Sequence, residues 1–333
     1  VTALAGPLRR AGRYARWLLV AGLVLGVSAP GLAAALKPWL GELVAATLFI
    51  AALRIGPRQA LGAVRDLPMT LGLVLAFQLA MPLLALGALG AAGWLATPLA
   101  VAVALMLSAS PIAGSPSLTV LVGHDPAPAL RLVVLGTLLL PLTVLPVLWL
   151  MPVLGTAGEV LAASARLLAV IALAVGGAFA LRAAALPDPA AETIEALDGL
   201  AALVLMAVIV GLMSAFGPAL RDSPGALLGW LGVAAALNLG LQAATKTLLA
   251  RRRDLAGTVA YAIIAGNRNI ALFLVALPAE VTDPVLVFIA AYQLPMYLTP
   301  VLLRGFYARV PGAGRLNSGG SRPNLPRNRP GSE

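Results

Sequence analysis

The sequence predicts an all-α integral membrane protein of ten transmembrane helices, arranged as two inverted five-helix repeats. Three observations carry that expectation. The chain of 333 residues is 60% hydrophobic and only 11% charged, against about 25% charged for an ordinary soluble domain. Its apolar residues gather into ten runs, most of them close to the roughly 20 residues that a helix needs to cross the hydrocarbon core. Basic residues collect on alternate connections between those runs, as they do on the cytoplasmic loops of membrane proteins. A mean hydropathy of +0.96 agrees, and the missing polar surface excludes a soluble enzyme.

Residues 1–16, with Arg9, Arg10, Arg13 and Arg16, read as a cytoplasmic N-terminal segment. The first half, 17–156, holds apolar runs at 17–36, 40–53, 68–89, 94–122 and 127–151. The second half, 157–306, holds runs at 160–181, 200–220, 226–248, 255–277 and 284–303. Between them stand turn and charge signals such as Lys37-Pro38, His124-Asp125-Pro126, Arg221-Asp222-Ser223-Pro224 and Arg251-Arg252-Arg253. Residues 307–333 are rich in Pro, Gly, Ser, Asn and Arg. They read as a disordered cytoplasmic tail able to rest on anionic lipid headgroups.

With the N-terminus inside and ten crossings, 19 of the 23 basic residues fall on the cytoplasmic side. Only Lys37, Arg166 and Arg221 fall outside, and Arg268 lies within a span. A wrong span count would spoil that asymmetry. The sequence therefore predicts a multi-pass protein of the cell inner (plasma) membrane with both termini cytoplasmic. The net charge of +10 needs no nucleic acid partner. A secretory signal over residues 9–29 is not expected to be cleaved, because Pro30 follows the small-residue site directly. With no cysteine and one histidine, thiolate metal sites are excluded and His-ligated ones are left little room.

Traces of an internal repeat support the two halves. Ile112-Ala113-Gly114-Ser115 in the fourth run parallels Ile264-Ala265-Gly266-Asn267 in the ninth, 152 residues on. Leu140-Pro141 with Pro146 in the fifth parallels Leu294-Pro295 with Pro300 in the tenth, 154 residues on. Pro111 and Gly114 predict a helix that stops near Ser110 and restarts near Pro116, with Ser115 as its N-cap. Gly266, Asn267 and Asn269 predict the same interruption in the ninth span. Free backbone at membrane depth is tolerated only against protein or a hydrated cavity. Broken helices at matching positions of two halves point to a transporter's binding site.

Arg268 is the residue that the sequence singles out. An arginine at a helix centre costs roughly 2.5–3.5 kcal/mol on insertion scales and usually faces protein or water. Three roles stand open: a stand-in for a bound cation, a fork for a substrate carboxylate, sulfate or phosphate, or a partner for carbonyls freed by the break.

In these features the chain resembles the bile acid:sodium symporter family. The resemblance rests on Gln78-Leu79-Ala80-Met81-Pro82, on 111–117, on 137–146 and on 266–269, and it spans all ten runs. It implies a core domain in which the fourth and ninth helices cross at their unwound centres, and a panel domain beside it. It also implies secondary transport of a small organic anion or amphipathic metabolite, with sodium as the usual coupling ion and no other cofactor. Carried over by position, sodium would be sought at Gln78, Ser117 and Thr137. The substrate or ion site would add Ser115, Asn267, Arg268 and Asn269, with Asn238 and Gln293 as mirror positions in the second half. Ile264 stands where the family has a shared glutamate, and Arg268 where it has a glutamine. A sodium ion about 6 Å from the guanidinium would be repelled by roughly 3 kcal/mol at an effective dielectric near 20, so the family's two-ion scheme is not expected to operate unchanged. The alternative is a sodium-independent metabolite exporter of another ten-helix inverted-repeat fold, which would lack the paired crossing. An intramembrane enzyme is not expected, because the spans hold no aspartate pair and Ser115 has no histidine partner.

Overall fold

The computed structural model describes residues 2–62, 67–250, 257–308 and 310. Within them the chain is helical apart from turns, short loops and a lone antiparallel bridge between Pro111 and Arg268. Among the described residues, seven helical stretches are long and apolar enough to cross a membrane, the longest being Pro30–Gly62 and Ala191–Asp222. This is an all-α, multi-pass membrane protein. Large apolar side chains accordingly face outward along the helices: Leu84, Leu173 and Val301 are each 76% exposed.

Helices α1 (Thr2–Arg13) and α2 (Ala15–Ser28) follow one another across Tyr14. The sequence places the first division between spans at Lys37-Pro38, but the structure places it at Ala29 (φ −119°, ψ 72°). Pro30 has no N–H to give to the preceding turn and instead opens α3 (Pro30–Leu36). Lys37–Trp39 is only a tight turn that leads on into α4 (Leu40–Gly62). Helix α4 breaks direction at Gly56, whose φ of 74° suits glycine alone, just before Pro57.

Helices α5 (Leu67–Leu75) and α6 (Met81–Ala91) are joined through one π-helical turn, Ala76–Ala80, with Gln78 at its centre. Thr97 caps α7 (Pro98–Ser108), which stops short of α8 (Ser115–Leu121). Next come α9 (Ala127–Thr143) and α10 (Leu145–Trp149). A reciprocal Thr156–Glu159 capping box starts α11 (Ala157–Ala185). The long helices α12 (Ala191–Asp222) and α13 (Pro224–Ala250) lead to α14 (Thr258–Gly266). That helix stops before a short turn and α15 (Phe273–Ala276). The chain closes with α16 (Ala279–Thr282), α17 (Leu286–Leu302) and α18 (Arg304–Tyr307). The expected tail beyond residue 310 and the Arg251-Arg252-Arg253 run lie outside the described residues.

The helices pack in two groups. In one, α2 and α3 lie against α12, and α4 lies against both α11 and α12. Helix α1, within the expected cytoplasmic N-terminal segment, also packs on α12, and Gly12 and Gly199 let the two backbones touch. In the other group, α8 and α9 pack on α14, α5 packs on α9, α6 packs on α7, and α13 packs on α14 and α17. The groups meet where α12 contacts α17 and where α11 contacts α9 and α15. An apolar core including Leu105, Met106, Leu272, Phe273, Phe288 and Ile289 fills the space beside the two interrupted helices.

Candidate functional site

The site is built from two helices that stop in mid-course. Helix α7 ends at Ser108, and Ala109 and Ser110 continue as extended chain before Pro111. Helix α14 ends at Gly266, and Asn267 (φ −107°, ψ 92°) is likewise extended. The two extended segments run antiparallel: the Ile112 N–H donates to the Asn267 carbonyl at 3.2 Å, and the Asn269 N–H donates to the Ser110 carbonyl at 2.7 Å. Ser115 is the first helical residue of α8 and Gly114 precedes it, so the expected Ser115 cap is not formed. Gly136 of α9 makes room for the first break, since a Cβ there would lie 2.6 Å from Gln78 Nε2 and 3.0 Å from Pro111.

A helix that stops inside an apolar medium frees carbonyls that must find donors. Arg268 supplies two of these donors and is only 1% exposed. Its Nη1 donates to the Ala109 carbonyl at 3.1 Å and its Nε to the Ala265 carbonyl at 3.2 Å. Its guanidinium carbon lies 5.2 Å from the centre of the Phe77 ring, a cation–π contact. The Arg268 backbone N–H donates to the Tyr292 hydroxyl, which in turn donates to the Gly266 carbonyl. Tyr292 is held by an aromatic series through Phe288 to Trp230, with centroids 5.9 and 5.6 Å apart.

Asn238, at the middle of α13, donates to the same Gly266 carbonyl and to Asn267 Oδ1. Gln242 bridges Asn238 and Thr299, and Tyr307 donates to Gln242. Thr299 donates back to Asn267. These five side chains form one network that locks α13, the second break, α17 and α18 together. The sequence points to Asn238 and Asn267. It carries no signal for Thr299 and Tyr307, or for Phe77 and the Ala109 and Ala265 carbonyls, because packing alone brings them there.

Among the described residues, three polar atoms near the breaks are buried without a partner: Arg268 Nη2, Ser110 Oγ and Ser115 Oγ. Asn269 is half-buried beside them. On the far side of the first break, Ala113, Pro116 and Ser117 line a cleft of about 480 Å³. Its opposite wall carries Arg54, Gln59 and Arg182 from α4 and α11. The cleft therefore reaches the first break from the end of the molecule where the Arg54–Asp198 (2.6 Å) and Arg58–Asp188 (2.7 Å) ion pairs lie. Thr137 and Gln293 are buried, and Gln293 donates to the Ile289 carbonyl within its own helix.

The residues proposed for sodium differ in their surroundings. Gln78 is buried and accepts from Thr143 at 3.2 Å, whereas Ser117 is exposed in the cleft. The described residues hold no cluster of three or more acidic, histidine or cysteine side chains. At the crossing itself, the oxygens of Ala109 and Ala265 already face a guanidinium. This donor set does not fit a sodium ion. No family model matches the chain, and no curated protein matches it.

Proposed function

We propose that the chain is a secondary carrier of the bile acid:sodium symporter type, moving a small organic anion or amphipathic metabolite by alternating access. Ten spans are counted by adding α2, the α7/α8 pair and the α14/α15 pair to the seven long helices. The first repeat then ends with α10 and the second begins with α11. An odd number of spans per half inverts one half relative to the other.

The observation that carries this reading is the antiparallel bridge between Pro111 and Arg268, formed where two helices stop. A scaffold or an ordinary helix bundle needs no exposed backbone at its centre, and carriers use such discontinuous helices to receive substrate. An exporter of another ten-helix fold would not need the pair to cross. The cleft that reaches Ser117 gives the substrate a way in from the end holding Arg54, and Arg268 Nη2 offers a free donor to its acidic group. Helices α2, α4, α11 and α12 form the panel against which the crossing moves. Both termini are assigned to the cytoplasm, at the Arg54 end.

The test begins with a thermal-shift screen of the purified protein against organic anions, followed by uptake of the stabilising compounds into proteoliposomes. A stabilising anion that accumulates inside the vesicles supports the carrier. Arg268→Ala and Arg268→Gln should each abolish that uptake. Unchanged uptake by either variant removes Arg268 from the mechanism, and an absence of uptake across the anion panel overturns the carrier reading.

A further inference from the structure

The carrier reading leaves open what balances the charge at the crossing. Helices α7 and α14 both end there, and each C-terminus concentrates roughly half a negative charge on its last carbonyls. Arg268 donates to one carbonyl from each: Ala109, which flanks the end of α7, and Ala265, in the last turn of α14. Three further carbonyls at the breaks are met by neutral donors. Gly266 is met by Tyr292 and Asn238, Ser110 by the Asn269 N–H, and Ile263 by the Asn267 side chain. The guanidinium cannot lose its proton, and its carbon lies 5.2 Å from the centre of the Phe77 ring. Among the described residues, no carboxylate forms an ion pair with it.

We propose that Arg268 is a tethered cation that takes over at this crossing the part a dissociable metal ion would play, so that the folded crossing neither binds nor requires sodium. The distinction is physical. A dissociable ion enters the folding equilibrium by mass action, so its concentration shifts the melting temperature. A cation built into the chain does not. The proposal rests on the carrier reading only for its consequence in transport, where uptake would proceed equally in sodium and choline.

The test is the melting temperature of the purified full-length protein in sodium, potassium and choline chloride at matched ionic strength. The wild type should melt at the same temperature in all three. Arg268→Lys, which keeps a charge but loses the fork, should melt lower, and Arg268→Gln lower still. Arg268→Ala should gain a saturable stabilisation from sodium or from added methylguanidinium that choline does not give. A saturable, sodium-specific rise in the wild type overturns the proposal, as does an Arg268→Gln variant at least as stable as Arg268→Lys. If Arg268→Ala does not fold, the wild-type titration and the Lys–Gln order decide alone. A sodium response in the wild type would leave the carrier reading standing. Failure of every organic anion to be transported would defeat the carrier and leave the cation result intact.

Discussion

Gly114 and Gly266 are matched in sequence yet differ in what surrounds them. A Cβ at Gly266 would lie 2.1 Å from the Asn238 carbonyl and 2.6 Å from Gln242 Cγ, whereas one at Gly114 would meet only Ile112 Cδ1 at 3.9 Å. The backbone of Gly114 is also ordinary, at φ −78°. Gly266→Ala should therefore cost about 3 kcal/mol through overpacking against backbone, while Gly114→Ala should stay within about 0.5 kcal/mol of wild type. Melting temperatures of the two purified variants check the contrast. The sequence repeat shows that both glycines belong to breaks. Only the approach of α13 shows which one is required. A second residue-scale prediction concerns His124, the chain's single histidine, whose Nε2 meets the Tyr307 carbonyl at 3.3 Å. Burial pushes its pKa below the usual 6.5, and the hydrogen bond to Tyr307 partly opposes that shift. The unfolded chain then takes up the proton first, so the neutral ring's contribution is present above about pH 6.5 and is lost as pH falls below it. Melting temperature measured downward from neutral pH should drop in wild type and drop less in His124→Gln. Equal slopes would disprove the assignment.

At the scale of the helix, the bends have named causes. Helix α4 turns at Gly56 because Pro57 removes a donor, and Arg182 from α11 then caps the freed Leu53 and Arg54 carbonyls at 2.7 and 3.4 Å. Any side chain at Gly56 would face both its positive φ and the Arg182 guanidinium 3.3 Å away. Gly56→Ala should destabilise by about 1–3 kcal/mol, read as a lower melting temperature with the overall helix content unchanged. Proline and glycine also explain how much of the fold was legible. The interruptions at 109–114 and 267–269 follow from Pro111 and Gly266, and the apolar runs correspond to helical stretches. The division at Ala29 was misread because Lys37-Pro38 carries the stronger turn signal. Yet a proline at the second position of a tight turn is compatible with continuing helix, whereas Pro30 is not compatible with the turn before it. The π-helical turn at Gln78 had no sequence signature, and the packing of α1 on α12 depends on Gly12 and Gly199, which read as unremarkable small residues in a chain rich in them.

Across the whole molecule, the ion pairs divide between two ends. Lys37 meets Asp283 at 3.0 Å, joining two connections that the charge pattern puts outside. Arg54 meets Asp198 and Arg58 meets Asp188, joining connections that it puts inside. These exposed pairs are worth little in stability. Their value is that each joins segments assigned to the same side, as a ten-span count requires. The chain contains no cysteine, so single cysteines can be introduced without removing any. Ser117→Cys, in the cleft beside Arg54, should react with a membrane-impermeant thiol reagent in inside-out vesicles and stay protected in right-side-out ones. Ser223→Cys, in the short connection between α12 and α13, should show the opposite pattern. A substrate that drives the cleft closed should slow labelling at residue 117 and leave residue 223 unaffected. If residues 117 and 223 label from the same side, an odd number of crossings separates them no longer, and both the span count and the inverted relation of the two halves fail together.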